Sequence, residues 1–365
     1  MATARPFLLP RRVARIAAVL LAMALALTCT RWAEAGGDWL GAPPSGQPLP
    51  SLDGATAWLN SPPLDAKALR GKVVLVDFWT YSCINCLRTL PHVRAWAQKY
   101  GPHGLVVIGA HTPEFEFEGT VANVQRAVKD LGIAYPVAVD SRHALWNAFG
   151  ARAWPSFYFV DAQGRVRHRQ LGEGRYDQAE RMIQQLLREA GRTQVPTDLV
   201  APEGAGTQAA AGPQAPASEE TYLGAARAEG FVAARGALRA GSADSFAPAP
   251  RLALNQWTLT GDWRVEPEQV ALERAGGRVS LRFRARDLHL VLGPARDGLP
   301  VRFKVRIDGR APGADHGSDT DADGNGRIDA HRLYQLVRQA GGDRERLFEI
   351  EFFDKGAQAH AFTFG

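Results

Sequence analysis

The feature that most restricts this chain is a seven-residue apolar run at 73–79, Val-Val-Leu-Val-Asp-Phe-Trp, followed four residues later by Cys83-Ile84-Asn85-Cys86. A short, nearly unbroken apolar run of this kind reads as a strand buried on both faces. Such a strand needs helices above and below it. The residues after Cys83 carry a helical pattern to about 100, so the cysteine pair stands where a central strand hands over to a helix. Strands and helices alternate around it from residue 41 to 190. Further strands are predicted at 105–109, 136–139 and 157–160, an edge strand at 165–171, and helices at 121–131, 144–149 and 179–190. This alternation predicts an α/β sheet covered on both faces.

A length of 365 residues exceeds one typical domain, and the pattern changes twice more. Residues 191–218 are rich in Pro, Ala, Gly and Gln, the make-up of a flexible or semi-extended linker. From 219 to 365 the apolar period becomes two. Val279, Leu281 and Phe283 alternate with Ser280, Arg282 and Arg284, and Val301, Phe303, Val305 and Ile307 alternate with charged residues. Phe348, Ile350 and Phe352 repeat the pattern. Strands with one apolar and one polar face, separated by Gly-rich turns, predict an all-β antiparallel sandwich, jelly-roll-like.

The net charge of +5 belongs mostly to the N-terminus. Within residues 1–35, five arginines against the single Glu34 account for all but one of the net charges. The nearly neutral remainder offers no electrostatic case for nucleic acid as a partner. Arg11, Arg12 and Arg15, the apolar run at 16–28 and Ala33-Glu34-Ala35 read as an export signal with its cleavage site. A run of 13 residues falls short of the roughly 20 that span a bilayer. Retention as an uncleaved anchor, tethering the protein to the membrane, is the alternative. A periplasmic or otherwise extracytoplasmic location follows from either.

Cys29 would leave with the signal, and Cys83 and Cys86 would remain in a compartment where disulfides persist. One such pair excludes a four-thiolate zinc site. As a structural crosslink, a C-x-x-C disulfide closes too small a loop to constrain much of the unfolded chain. Redox chemistry is the reading left. At a helix N-terminus, Cys83 has unpaired backbone N–H groups and the positive end of the helix dipole to favour its thiolate. It is the expected nucleophile, and Cys86, one turn on, the resolving thiol. The working group would be the Cys83–Cys86 disulfide itself, with no bound cofactor and no metal.

The segment Trp79-Thr80-Tyr81-Ser82-Cys83-Ile84-Asn85-Cys86 resembles the thioredoxin superfamily, and within it the extracytoplasmic TlpA-like and DipZ-type branch. The resemblance covers residues 41–190 and implies a thioredoxin fold and thiol–disulfide exchange with exported proteins. By resemblance, Asp77 matches the buried acid that moves a proton for the resolving cysteine. Pro91 matches the proline that kinks the active-site helix, and Trp154-Pro155 matches a cis-proline facing the disulfide. A membrane electron donor of the CcdA or DsbD kind is implied as a partner. Thr89 stands where some TlpA-like reductants carry an acid, so the cytochrome-maturation subset is not implied.

Other readings stay open. Thr80-x-x-Cys83 is similar to a peroxiredoxin motif, and a thiol peroxidase is an alternative, although Val76 occupies the place of that family's proline. His111 and Glu114 could reach the same sheet edge as Cys83 or form a loop cap, and Glu173 in Gly-Glu-Gly reads first as a turn. The C-terminal region resembles the carbohydrate-binding-module-like sandwich of DipZ-type proteins at Tyr222-Leu223-Gly224, Trp257, Gly261-Asp262-Trp263 and residues 332–336. Trp257 and Trp263 could stack on a glycan or fill the core. A glycan- or protein-binding module with an accessory redox domain is the rival function. Asp321, Asp323, Asn325 and Asp329 match a calcium loop in part, but Arg332 takes the place of its final glutamate. The alternative there is a surface turn.

Overall fold

The computed structural model describes residues 46–365. The expected export signal at 1–35, with Arg11, Arg12, Arg15 and Cys29, lies outside the described residues. Among those described, no helix is long and apolar enough to cross a membrane.

The run at 73–79 forms β2 (Val73–Trp79), buried at every position. It lies inside a six-stranded sheet of order β1-β4-β3-β2-β5-β6, with β1 (Ala57–Leu59), β3 (Leu105–His111), β4 (Val137–Val139), β5 (Ser156–Val160) and β6 (Val166–Leu171). β2, β3 and β4 run parallel, whereas β1, β5 and β6 pair antiparallel to their neighbours. Residues alternate between faces. Val73, Leu75 and Trp79 pack with α1 (Ile84–Tyr100), α2 (Val121–Asp130) and α4 (Tyr176–Glu189). Val74, Val76 and Phe78 pack with α3 (Ala144–Phe149) on the other face. This is the α/β sheet covered on both faces that the alternation predicts, in the thioredoxin-type form that the resemblance implies. The short edge strand β1 has three residues, too few to carry a readable period.

The C-terminal region is an all-antiparallel β domain, as the period of two predicts, and its 12 strands form one curled sheet. Its spine is β10 (Trp257–Val265). Residues 257–260 pair with β12 (Arg278–Arg284), and residues 261–264 pair with β9 (Ala243–Pro248). The change of partner falls at Gly261, whose φ of +97° favours glycine and whose Cα side lies against Gly277. From there the sheet runs through β11 (Val270–Leu272), β18 (Gln358–Phe364) and β13 (Asp287–Gly293) to β16 (Arg332–Arg338). Its other limb carries β17 (Glu345–Phe352), β14 (Val301–Ile307) and β15 (Asn325–Ile328), while β7 (Thr221–Tyr222) pairs with β18 and β8 (Ala233–Arg235) with β9.

Trp257 and Trp263 are wholly buried in the core of this sheet, and their indole N–H groups donate to the carbonyls of Glu229 and Thr260. They are therefore core residues, and neither presents a face on which a sugar could stack. At 321–332 the side chains pair with one another in a surface turn. Asp321 accepts from Asn325 N and Nδ2, closing a turn into β15, while Arg332 pairs with Asp319 and approaches Asp329. Among the described residues no cluster of three or more His, Cys, Asp or Glu side chains could hold a metal ion.

The segment read as a flexible linker is instead pinned. The buried Glu180 of α4 accepts from Trp96 Nε1, Tyr100 Oη, Lys99 Nζ and the backbone N–H of Val200. Gln208 accepts from Arg94, and Gly206 O accepts from Arg338. Composition could not show this, because the polar partners lie on distant elements. Glu180→Ala should cost about 3 kcal/mol, since it strands several buried donors at once. Urea unfolding would measure the loss, and faster hydrogen exchange at Val200 would locate it.

Candidate active site

Two local features position the cysteines. β2 ends at Trp79, and α1 begins at Ile84 with Cys83 as its N-cap in extended conformation. The Cys83 sulfur accepts the N–H of Cys86 at 3.4 Å and lies 4.0 Å from the carbonyl oxygen of Trp154. Both cysteines are free thiols, Cys83 half-buried and Cys86 fully buried. Burial and the neighbouring Cys83 sulfur push the Cys86 thiol up from its ordinary value. One sulfur is reachable and the other is kept protonated behind it. The Trp154–Pro155 bond is cis, as the resemblance implied. Trp154 is braced by stacking on Trp146 at 4.2 Å and by donating its indole N–H to Thr112 O.

Asp77 follows from the alternation of β2. It shares the α1 face with Val73, Leu75 and Trp79 and lies wholly buried, with no hydrogen-bond partner on either oxygen. Burial pushes its carboxyl up to about 8. The opposing residue on β3 is Gly109, where a side chain would strike Trp79 Nε1 and the Tyr135 ring. Trp79 Nε1 and Tyr135 Oη are also buried without partners. The buried carboxyl is thus one of several unsatisfied polar groups in this core. Pro91 lies inside α1, where its missing N–H removes one helical bond. Thr89 Oγ1 donates to Cys86 O, a helix back-bond with no acid beside it.

His111 ends β3 beneath the redox loop. Its ring meets Trp79 edge-on at 5.0 Å, stacks on Tyr81 at 5.4 Å, and has Nε2 3.4 Å from Thr80 Oγ1. Burial lowers it to about 3, so it remains neutral and braces the loop. Glu114 turns away from the cysteines to accept from Tyr222 Oη and Arg227. Glu173 lies in a bend and accepts from Arg88 Nε and Nη2, and the same Nη2 also donates to Asn85 Oδ1 inside the C-x-x-C. Sequence reasoning missed Arg88 and the buried Glu118, which accepts from Ser82. Their only sequence signal is a charge at a helix or loop position that is usually solvated.

Beside the loop, a cleft of about 560 Å³ opens between Tyr81, Leu87 and Arg126 on one side and His331, Arg332 and Leu333 on the other. A larger cavity of about 1030 Å³, near Leu299 and Phe353, lies in the β domain and includes no redox residue.

The comparisons agree with this geometry. The family model described as Redoxin matches residues 44–186, and the one described as Thioredoxin like C-terminal domain matches residues 218–365. Protein DipZ of Mycobacterium bovis (strain ATCC BAA-935 / AF2122/97) is 40% identical over 268 residues, which are 70% of this chain and 37% of DipZ. Thiol-disulfide oxidoreductase YkuV of Bacillus subtilis (strain 168) is 32% identical over 143 residues, covering 39% of this chain and 96% of YkuV. A thioredoxin-like protein solved in solution in its oxidized form shares 33% identity over 40% of this chain and 97% of its own, with a TM-score of 0.37. The chain spans little more than a third of the length of DipZ. With YkuV matched almost end to end, the chain belongs to the thioredoxin superfamily, in its TlpA/DipZ-type branch.

Proposed function

We propose that this protein exchanges disulfides with exported proteins in an extracytoplasmic compartment. In the reducing direction the Cys83 thiolate attacks one sulfur of a substrate disulfide, whose S–S bond breaks and releases a thiolate. Cys86 passes its proton to Asp77 in its ionised fraction, which grows as pH approaches 8, and attacks the Cys83 sulfur, freeing the second substrate thiol. The protein is left as the Cys83–Cys86 disulfide, having given up two electrons. A membrane donor of the CcdA/DsbD kind would restore the dithiol. Oxidation of exported thiols is the same sequence run backwards. The observation that carries the reading is one half-exposed sulfur at a helix N-cap, facing the Trp154 carbonyl before cis-Pro155, with the second sulfur buried behind it. The Trp154–Pro155 edge is the place for the substrate's backbone.

Equilibrating the full chain with dithiothreitol or glutathione buffers tests it. A two-electron couple at about −250 mV or lower makes the protein a reductant, and one near about −120 mV an oxidant. Absence of any reversible Cys83–Cys86 couple would overturn the reading. Recovery of the chain in the cytoplasmic fraction would overturn the extracytoplasmic part alone.

A further inference from the structure

Residues 114–118, directly after β3, read Glu-Phe-Glu-Phe-Glu, and they touch two parts of the molecule. Glu114 accepts from Tyr222 Oη at 2.6 Å and from Arg227 at 3.1 Å. The Arg227 guanidinium lies over the Tyr222 ring at 3.6 Å. Phe115 meets His360 edge-on, Phe117 stacks on His331 at 4.9 Å, and the N–H of Glu116 donates to Glu268. All these partners belong to the β domain. Glu118 turns the other way, and its carboxylate is wholly buried. One oxygen accepts from Ser82 Oγ at 2.6 Å and Ser82 N at 3.2 Å. The other accepts from Glu114 N at 2.7 Å and Phe115 N at 3.0 Å. Ser82 precedes Cys83, and Tyr81 Oη donates to Phe117 O.

A buried carboxylate with no cationic partner shown is costly unless its acceptor sites are filled. Here four donors fill them, two from each side. The carboxylate is rigid, so the turn at 114–115 cannot shift without drawing Ser82 along or breaking a pair of these bonds. We propose that residues 114–118 couple the seating of the β domain to the redox loop, with Glu118 as the positioning residue that holds Ser82, and through it Cys83, at the N-cap of α1. This rests on Cys83 being the attacking sulfur. The β domain then acts as part of the redox centre's frame and not only as an appended module.

The test reads the thiol directly. In the reduced full chain, the rate of Cys83 alkylation by iodoacetamide is followed against pH, with mass spectrometry assigning the modified cysteine. Tyr222→Phe combined with Arg227→Gln removes both hydrogen bonds to Glu114 and leaves the redox loop unaltered. The ring of residue 222 is kept, and circular dichroism with the thermal midpoint verifies folding. Alkylation at pH 7 should fall at least three-fold, with the profile moved to higher pH. In a Glu118→Gln background the same pair of changes should have no further effect, because the linkage is already cut. An unaltered profile in the folded Tyr222→Phe/Arg227→Gln protein overturns the proposal, and so does an equal drop in the Glu118→Gln background. Arg227→Gln alone, read the same way, decides the matter if the double variant does not fold. A chain that reduces no protein disulfide but shows this response refutes the proposed function and not the coupling.

Discussion

Cys86→Ser should stop turnover at the mixed disulfide and accumulate covalent adducts between Cys83 and exported proteins. Cys86 is the only other cysteine among the described residues and its N–H reaches the Cys83 sulfur, so resolution is intramolecular. Well-oriented intramolecular attack corresponds to effective concentrations of about 10⁵ M or more. A thiol supplied from solution at millimolar levels cannot replace it. Release of bound substrate should therefore slow by a factor on the order of 10³ or greater. Serine fits the same volume, so the loss is chemical. Non-reducing gels of cells expressing Cys86→Ser should show thiol-sensitive adducts that vanish in Cys83→Ser and in the double variant. Adducts formed equally by Cys83→Ser would assign the nucleophile to the wrong sulfur.

Asp77→Asn should raise stability at alkaline pH while slowing resolution. Burial lifts the Asp77 carboxyl to about 8 from an ordinary 3.8, so the folded protein holds a proton that the unfolded chain releases. Between about pH 4 and pH 8 the native state thus binds more protons, and stability falls as pH rises through that window. It levels off above the folded value. A tenfold difference in proton affinity between the folded and unfolded chain is worth about 1.4 kcal/mol. The wild-type protein at pH 9 should therefore be less stable than Asp77→Asn by on the order of a few kcal/mol. Denaturant midpoints from pH 5 to pH 9 would measure it. The same substitution removes the acceptor for the Cys86 proton, which should slow release of the second substrate thiol by about 10²-fold and abolish the pH inflection near 8. A wild-type midpoint that does not fall from pH 5 to pH 8 would mean that Asp77 ionises normally.

The half of the β domain that was legible is the limb facing water. β12, β14 and β17 keep a charged outer face, so period two is plain in their residues. β13 and β18 are buried at every position, because Val291, Leu333 and Ala361 pack into the thioredoxin-type core beneath them. With a second protein layer in place of solvent, alternation gives way to unbroken runs such as Leu290-Val291-Leu292, in which period two cannot be read. The tryptophans show the same limit. Sequence leaves Trp257 and Trp263 between a sugar-facing surface and the core, and the curl of the sheet at Gly261 buries both.

What the sequence by itself determined is what short-range chemistry dictates. A strand buried on both faces needs helices over it, a lone C-x-x-C at a strand–helix junction places one cysteine at the helix N-terminus, and the resemblance marks Asp77 as the buried acid. Tertiary structure alone decided which charged side chains leave the solvent. Glu118, Glu180 and Arg88 look like surface residues in sequence, and each is buried because donors or acceptors from elements far along the chain converge on it. Burial of a charge is stable only when its partners are assembled, and that assembly is a property of the packed fold that no local pattern encodes.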